Sequence, residues 1–299
     1  MQRFQPARRE TVVDVSIQAR NVIFDWSDVP AVWIPGEPYA SYLWNSIHLI
    51  LPSFERWFIE VYTEALPLVR DDKVAEDMLG FIGQESMHAE SHRGAAEYLR
   101  ALGYDVQPFL DQMHWLFADA LGPRPHRSVR EQAEWAVERC ALIAGFEHLT
   151  AAAGHYLLSG TTAWERAGAD PVMVDLLRWH GAEEVEHRAV AFDVYQHLDG
   201  RLLRRNIAMI VALIAMVLLI LRGAKYLAAN DPNLRRPGLI RFLWEFSKAN
   251  RKGLLPTARA LLRPVASYFW PGYHPSAEFD TELAVRYLAM SPAARGAER

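Results

Sequence analysis

Two short stretches carry the same device: Glu85-Ser86-Met87-His88 and Glu184-Val185-Glu186-His187 each place a carboxylate and an imidazole three residues apart. On a helix that spacing puts both groups on one face, aimed at a single point. One such pair is common by chance. Two, about a hundred residues apart and each within an apolar helix, read as the halves of a dinuclear metal site in a four-helix bundle, where two further helices each donate one Glu. Glu55, 30 residues before Glu85, and Glu147, 37 before Glu184, supply them. Glu147 lies between Ala144-Gly145-Phe146 and Thr150-Ala151-Ala152-Ala153, where an unpaired carboxylate would be costly to bury and a metal would remove the cost. The plain alternative is a solvated face, the usual fate of Glu on a helix. On the helix of Glu55, Glu60 and Glu64 point about 140° and 180° away from it at about 100° per residue, so only one of these faces can line a site.

Three neighbours are candidate catalytic residues. His92 follows Glu85 by seven positions and His180 precedes His187 by seven, so each shares the helical face of its motif. Extra ligand, proton shuttle and hydrogen-bonded core histidine are all open to them. Six donors already suffice for two ions, which favours a place behind the ligands. Glu183 is positioned to orient a ligand histidine of a neighbouring helix through its second ring nitrogen, with surface exposure as the alternative. Tyr62, two turns from Glu55, reads as core and not as a radical site.

Four long helices must hold these groups. A helical pattern runs from Ser41 to about Leu66 and is interrupted at Pro52. A second has cap candidates Asp71 and Asp72 and stops at Gly103. A connection of about 25 residues follows, with PFLDQMHWLFADALG as a short helix inside it, as a crossover between parallel helices requires. The third helix opens on the capping box Ser128-Val129-Arg130-Glu131 and runs to about Leu158, and the fourth spans Asp170-Pro171 to Asp199-Gly200. The expected fold is all-α: a ferritin-like four-helix bundle with additional C-terminal helices. It divides into an N-terminal arm (1–40), a dinuclear metal bundle (41–200) and an apolar, basic helical region (201–299).

Composition fits this reading. The chain has 299 residues, enough for a large core, and one cysteine, Cys140, which excludes a disulfide framework and a thiolate cluster. The opening MQRFQPARRETVVDV turns polar at once, so a cytoplasmic protein is expected. The net charge of -4 conceals an asymmetry: residues 201–263 hold 13 Lys and Arg against Asp231 and Glu245, a local +11 on a body of -15. Within that segment Ile207–Leu221 is 15 residues without a charge, flanked by Arg204, Arg205, Arg222 and Lys225. At about 1.5 Å per residue it covers about 22 Å, short of a hydrocarbon core of about 30 Å. A monotopic contact with the inner face of a membrane is the preferred reading, and a helix buried in a homo-oligomer the other. Nucleic acid is disfavoured, because the basic residues accompany a long apolar run and no nucleic-acid fold signature is present.

The blocks FIGQESMHAESH (81–92), ALIAGFEHLTA (141–151) and WHGAEEVEHRAVAFDVY (179–195), preceded by LPSFERWF (51–58), resemble the family of predicted metal-dependent hydrolases of ferritin-like fold. The ligand pattern is similar to that of the di-iron carboxylate oxygenases and oxidases. That resemblance implies Glu55, Glu85 and His88 at one metal and Glu147, Glu184 and His187 at the other, with Glu85 and Glu184 as bridges. The expected function is a di-iron enzyme that uses O2 and an electron donor to oxidise a lipophilic or small organic substrate. The alternative is a hydrolase in which two metals, manganese or zinc as well as iron, activate a bridging hydroxide. Metal storage is a third, weaker reading.

Overall fold

The computed structural model describes residues 17–160, 162–234 and 236–297. Within them the protein is all-α, with no strand. Residues 17–37, most of the described part of the expected arm (1–40), contain no helix. The helices are α1 (Pro38–Ala65), α2 (Asp72–Ala101), α3 (Gln107–His114), α4 (Val129–Ser159), α5 (Thr162–Arg166) and α6 (Pro171–His187). There follow α7 (Val190–Leu198), α8 (Leu202–Asn230), α9 (Leu239–Arg251), α10 (Ala258–Tyr268), α11 (Thr281–Leu288) and α12 (Pro292–Ala297).

Local chemistry sets most of the boundaries. The Asp71 side chain accepts from the backbone N–H groups of Lys73 and Val74 at 2.9 and 3.0 Å, and α2 ends just before Gly103, which takes a left-handed φ of 89°. Ser128 and Glu131 close the capping box that opens α4, and Asp170 accepts from Val172 and Met173 at the start of α6. Two boundaries differ from the sequence pattern. First, α1 runs unbroken through Pro52, although proline removes the hydrogen bond to the carbonyl four residues back. Burial of most of the helix on both sides of Pro52 outweighs that loss.

Second, the segment Asp170–Gly200 is two helices, broken at Arg188-Ala189 directly after His187. No glycine or proline marks the break. Arg188 turns back to donate to the Val185 carbonyl, and also donates to the carbonyls of Pro275 and Glu278 and to Thr281. A buried guanidinium that needs distant acceptors thus ends the helix, which local sequence does not reveal.

Helices α1, α2, α4 and α6 surround the acidic centre, while α8 packs along α1 and α4. Residues of α8, among them Met209, Ala212 and Leu227, join the same core as Phe54, Phe58 and Phe146. Small residues bring the elements close. A Cβ on Gly145 would lie 3.1 Å from the Ala212 side chain, and one on Gly223 2.6 Å from that of Ser46. The tightest crossing joins α4 to α6, where a Cβ on Gly154 would lie 2.3 Å from the Gly181 carbonyl oxygen. Gly154→Val is therefore expected to cost about 1–3 kcal/mol by overpacking, measured by chemical denaturation. Gly296→Ala, which meets open space inside α12, is the control expected to stay near wild type.

Candidate metal centre

Each helix around the centre contributes to it: Glu55 from α1, Glu85 and His88 from α2, Glu147 from α4, and His180, Glu184 and His187 from α6. All seven side chains are buried. They fall into two groups, each with one donor atom per residue within 4.8 Å of the others: Glu55, His88 and His180, and Glu85, Glu147, Glu184 and His187. This grouping differs from the one implied by family resemblance, since Glu85 lies with the second set and His180 takes its place in the first. Glu85 and Glu184 nevertheless sit between the sets. Glu85 Oε1 is 3.7 Å from His88 Nδ1 and 3.5 Å from His187 Nε2, and Glu184 carboxylate oxygens are 3.6 and 3.3 Å from the same two atoms. Glu147 Oε2 is 3.0 Å from His187 Nε2.

The two histidines of the repeated motif are held by their outward nitrogens. His88 Nε2 lies 2.9 Å from Glu183 Oε2, and His187 Nδ1 lies 2.9 Å from Gln84 Oε1. The inward nitrogens, His88 Nδ1 and His187 Nε2, are left facing the carboxylates. Both supports lead to one residue. Arg20 of the N-terminal arm donates through Nη1 to Glu183 at 2.8 Å and to Glu186 at 2.7 Å, and Glu186 in turn accepts from Gln84 at 3.3 Å. One guanidinium therefore closes a loop through the supports of both histidines.

A second chain backs His180. Its Nε2 is 3.0 Å from Glu184, and its Nδ1 is 2.9 Å from His92 Nε2. His92 Nδ1 is paired with His48 Nδ1 at 2.8 Å. Burial lowers the pKa of all three imidazoles, that of His48 to about 3, with the neighbouring charge of His88 adding to the effect at His180. Glu183 is different. Burial alone would raise it, but the hydrogen bond and charge of His88, together with Arg20, hold it below the usual carboxylate range.

The donor set fits divalent cations on two observations. Both carboxylate oxygens of Glu55, Glu85 Oε1 and His88 Nδ1 are buried without a hydrogen-bond partner, which is costly unless something else pairs with them. Moreover, burial and the charges of Glu85, Glu184 and Glu147 push the Glu55 carboxyl far above its ordinary pKa, and burial with Glu184 pushes Glu147 up to about 8. Burial and neighbouring carboxylates thus disfavour the ionised forms of Glu55 and Glu147. Oxygen-rich sets with imidazole suit iron, manganese or zinc.

His48, Gln84, Glu186 and Arg20 were not singled out by the sequence. His48 had a signal: it precedes Glu55 by seven residues, the spacing that relates His92 to Glu85 and His180 to His187. Gln84 and Glu186 stand beside motif residues and look like ordinary helix surface. Nothing local marks Arg20, because its partners lie more than 160 positions away. Tyr62 is buried in the core, with its ring centroid 5.0 Å from that of Phe81.

The model of the family described as "predicted metal-dependent hydrolase" matches residues 18–278. No curated protein and no solved structure matches the chain.

The loop through Arg20 makes a quantitative forecast. Arg20→Ala should weaken divalent-metal affinity about 10- to 100-fold, read by competition with a chromogenic chelator, while the helical circular dichroism stays at wild-type level. Unchanged affinity would remove Arg20 from the support of the histidines.

Proposed function

The chain belongs to the predicted metal-dependent hydrolase family, and from that premise we propose that its buried centre holds two divalent ions used to hydrolyse a carboxylic ester or amide. Glu55, His88 and His180 would hold one ion and Glu85, Glu147, Glu184 and His187 the other, with Glu85 and Glu184 shared between them. The unpaired carboxylate of Glu55 opposite the unpaired His88 Nδ1 is the observation that carries this reading. Bound there, the ions would polarise a water molecule and lower its pKa toward neutrality.

The chain's own residues supply position. Glu183, Gln84 and Arg20 fix the rings of His88 and His187, so that the inward nitrogens keep their aim. His180 lies where an apolar cavity meets the carboxylates, its ring held by His92 and, behind it, His48. In this place it completes the ligand set at the point where the scissile group would enter from the cavity. The surrounding apolar side chains exclude bulk water, which strengthens each charge interaction inside.

The family favours hydrolysis over the redox chemistry that the Glu and His order suggests. One observation supports a second reading, O2 activation by a di-iron centre with an external electron donor: four of the seven donors are carboxylates, the oxygen-rich sphere of di-iron carboxylate proteins. Metal exchange separates the two. Zinc- or manganese-loaded protein should cleave 4-nitrophenyl esters under anaerobic conditions, with Glu184→Ala abolishing turnover along with bound metal. Zinc has no accessible redox change, so turnover seen only with reduced iron and O2 would replace the hydrolase with the oxidase.

A further inference from the structure

A cavity of about 100 Å³ lies between α1, α4, α6 and α8. Ile47 and Leu51 of α1, Phe146 and Leu157 of α4, and Met216 and Ile220 of α8 are among its walls. His92 and His180 also line it, and His180 Nε2 is 3.0 Å from Glu184. Where α4 crosses α6 the wall is formed by Gly154 and Gly181, which leave it without side chains. A lining this apolar gives water few partners and suits an apolar guest. The volume is below the about 300 Å³ of ordinary small-molecule sites, which disfavours fused rings and leaves room for a thin chain.

We propose that this cavity binds the unbranched alkyl chain of the substrate, with the reacting carbonyl at His180 and the chain running toward α8. The proposal rests on the hydrolase reading for the nature of the carbonyl, but chain binding itself does not require turnover. Its test is therefore calorimetric titration of the protein as purified with 1-butanol, 1-hexanol, 1-octanol and 1-adamantanol. Affinity should rise about fourfold per methylene, the burial free energy of one CH2 converted to a ratio, until the cavity is full, and 1-adamantanol should not bind. Ala153→Phe, or Met216→Trp if the first variant misfolds, should abolish the chain-length dependence at unchanged metal content. Equal affinity across the alcohols, or length dependence that survives both substitutions, overturns the proposal. Chain binding without anaerobic ester cleavage would overturn only the hydrolase, whereas cleavage without chain binding would overturn only this site.

A separate observation concerns the outer face of α8. Its small residues Ala208, Ala212, Gly223, Ala224 and Ala228 face inward, whereas Ile207, Ile210, Val211, Ile214, Val217 and Leu218 are exposed. The helix is long and apolar enough to cross a membrane, yet its inner face is packed on α1 and α4, so it forms a wall of the bundle. Exposed Arg222 and Lys225 continue the stripe and share a groove with Leu218 of α8 and Leu239 and Leu243 of α9. Of the expected N-terminal flank, Arg204 pairs with Glu134 and Glu138, and Arg205 is buried, donating to the carbonyls of Tyr268 and Trp270. The available positive charge therefore lies at the Arg222 end.

We infer that this stripe rests on an anionic bilayer, with Arg222 and Lys225 at the headgroups and the aliphatic side chains below them. The protein should co-sediment with vesicles of phosphatidylglycerol and phosphatidylcholine more than with phosphatidylcholine alone. Arg222→Gln and Lys225→Gln should each weaken binding about fivefold, from about 1 kcal/mol per basic residue, and Ile214→Asp should abolish it. An absence of vesicle binding, or a soluble oligomer that Ile214→Asp splits, would assign the stripe to a second copy of the chain and overturn the inference.

Discussion

Four carboxylates buried within one helical bundle repel one another, and the rest of this structure answers that repulsion. Burial and mutual charge push Glu55 and Glu147 toward their neutral forms, and several of the atoms involved have no partner in the protein. A hydrophobic core does not tolerate such a cluster without compensation. Histidine nitrogens facing inward compensate in part. Divalent cations would complete the compensation, which is why the centre reads as a metal site from its electrostatics as well as from its motif.

Keeping the inward nitrogens inward is a separate requirement. An imidazole rotates about its side-chain bonds, and its partner on the outward nitrogen fixes both ring and tautomer. Here the partners are Glu183 and Gln84, and Arg20 joins them through Glu186. The arm before α1 is thus a structural part of the centre. Arg188 acts similarly on the other side: by ending α6 directly after His187 and binding the segment around Pro275 and Glu278, it ties the C-terminal region to the helix that carries three of the seven donors.

In the proposed reading, metal chemistry and substrate choice are linked through His180. It lies in one group with Glu55 and His88 and also lines the cavity. Gly154 and Gly181, whose missing side chains let α4 and α6 meet closely, form part of the cavity wall, and α8 supplies another side. In the proposed reading, the helix that forms one wall of the cavity is also the one that faces lipid.

The doubled Glu-x-x-His motif, the two isolated glutamates and the caps at Asp71, Ser128 and Asp170 are local patterns with helical periods, and the sequence alone was enough to read an all-α bundle from them. The same periodicity pointed to His92 and His180, since seven residues return a side chain to nearly the same face. Tertiary structure decided what depends on contacts between distant residues. It moved His180 in with Glu55 and His88, placed Arg20 and Gln84 behind the histidines, carried α1 through Pro52 and broke the helix at Arg188. It also turned one face of α8, with Ile207, Ile210, Ile214 and Leu218, outward and buried Arg205, whereas the sequence had offered only an apolar run with basic flanks. Periodicity states which residues share a face, but which face meets which is settled by packing between helices that lie far apart in the chain.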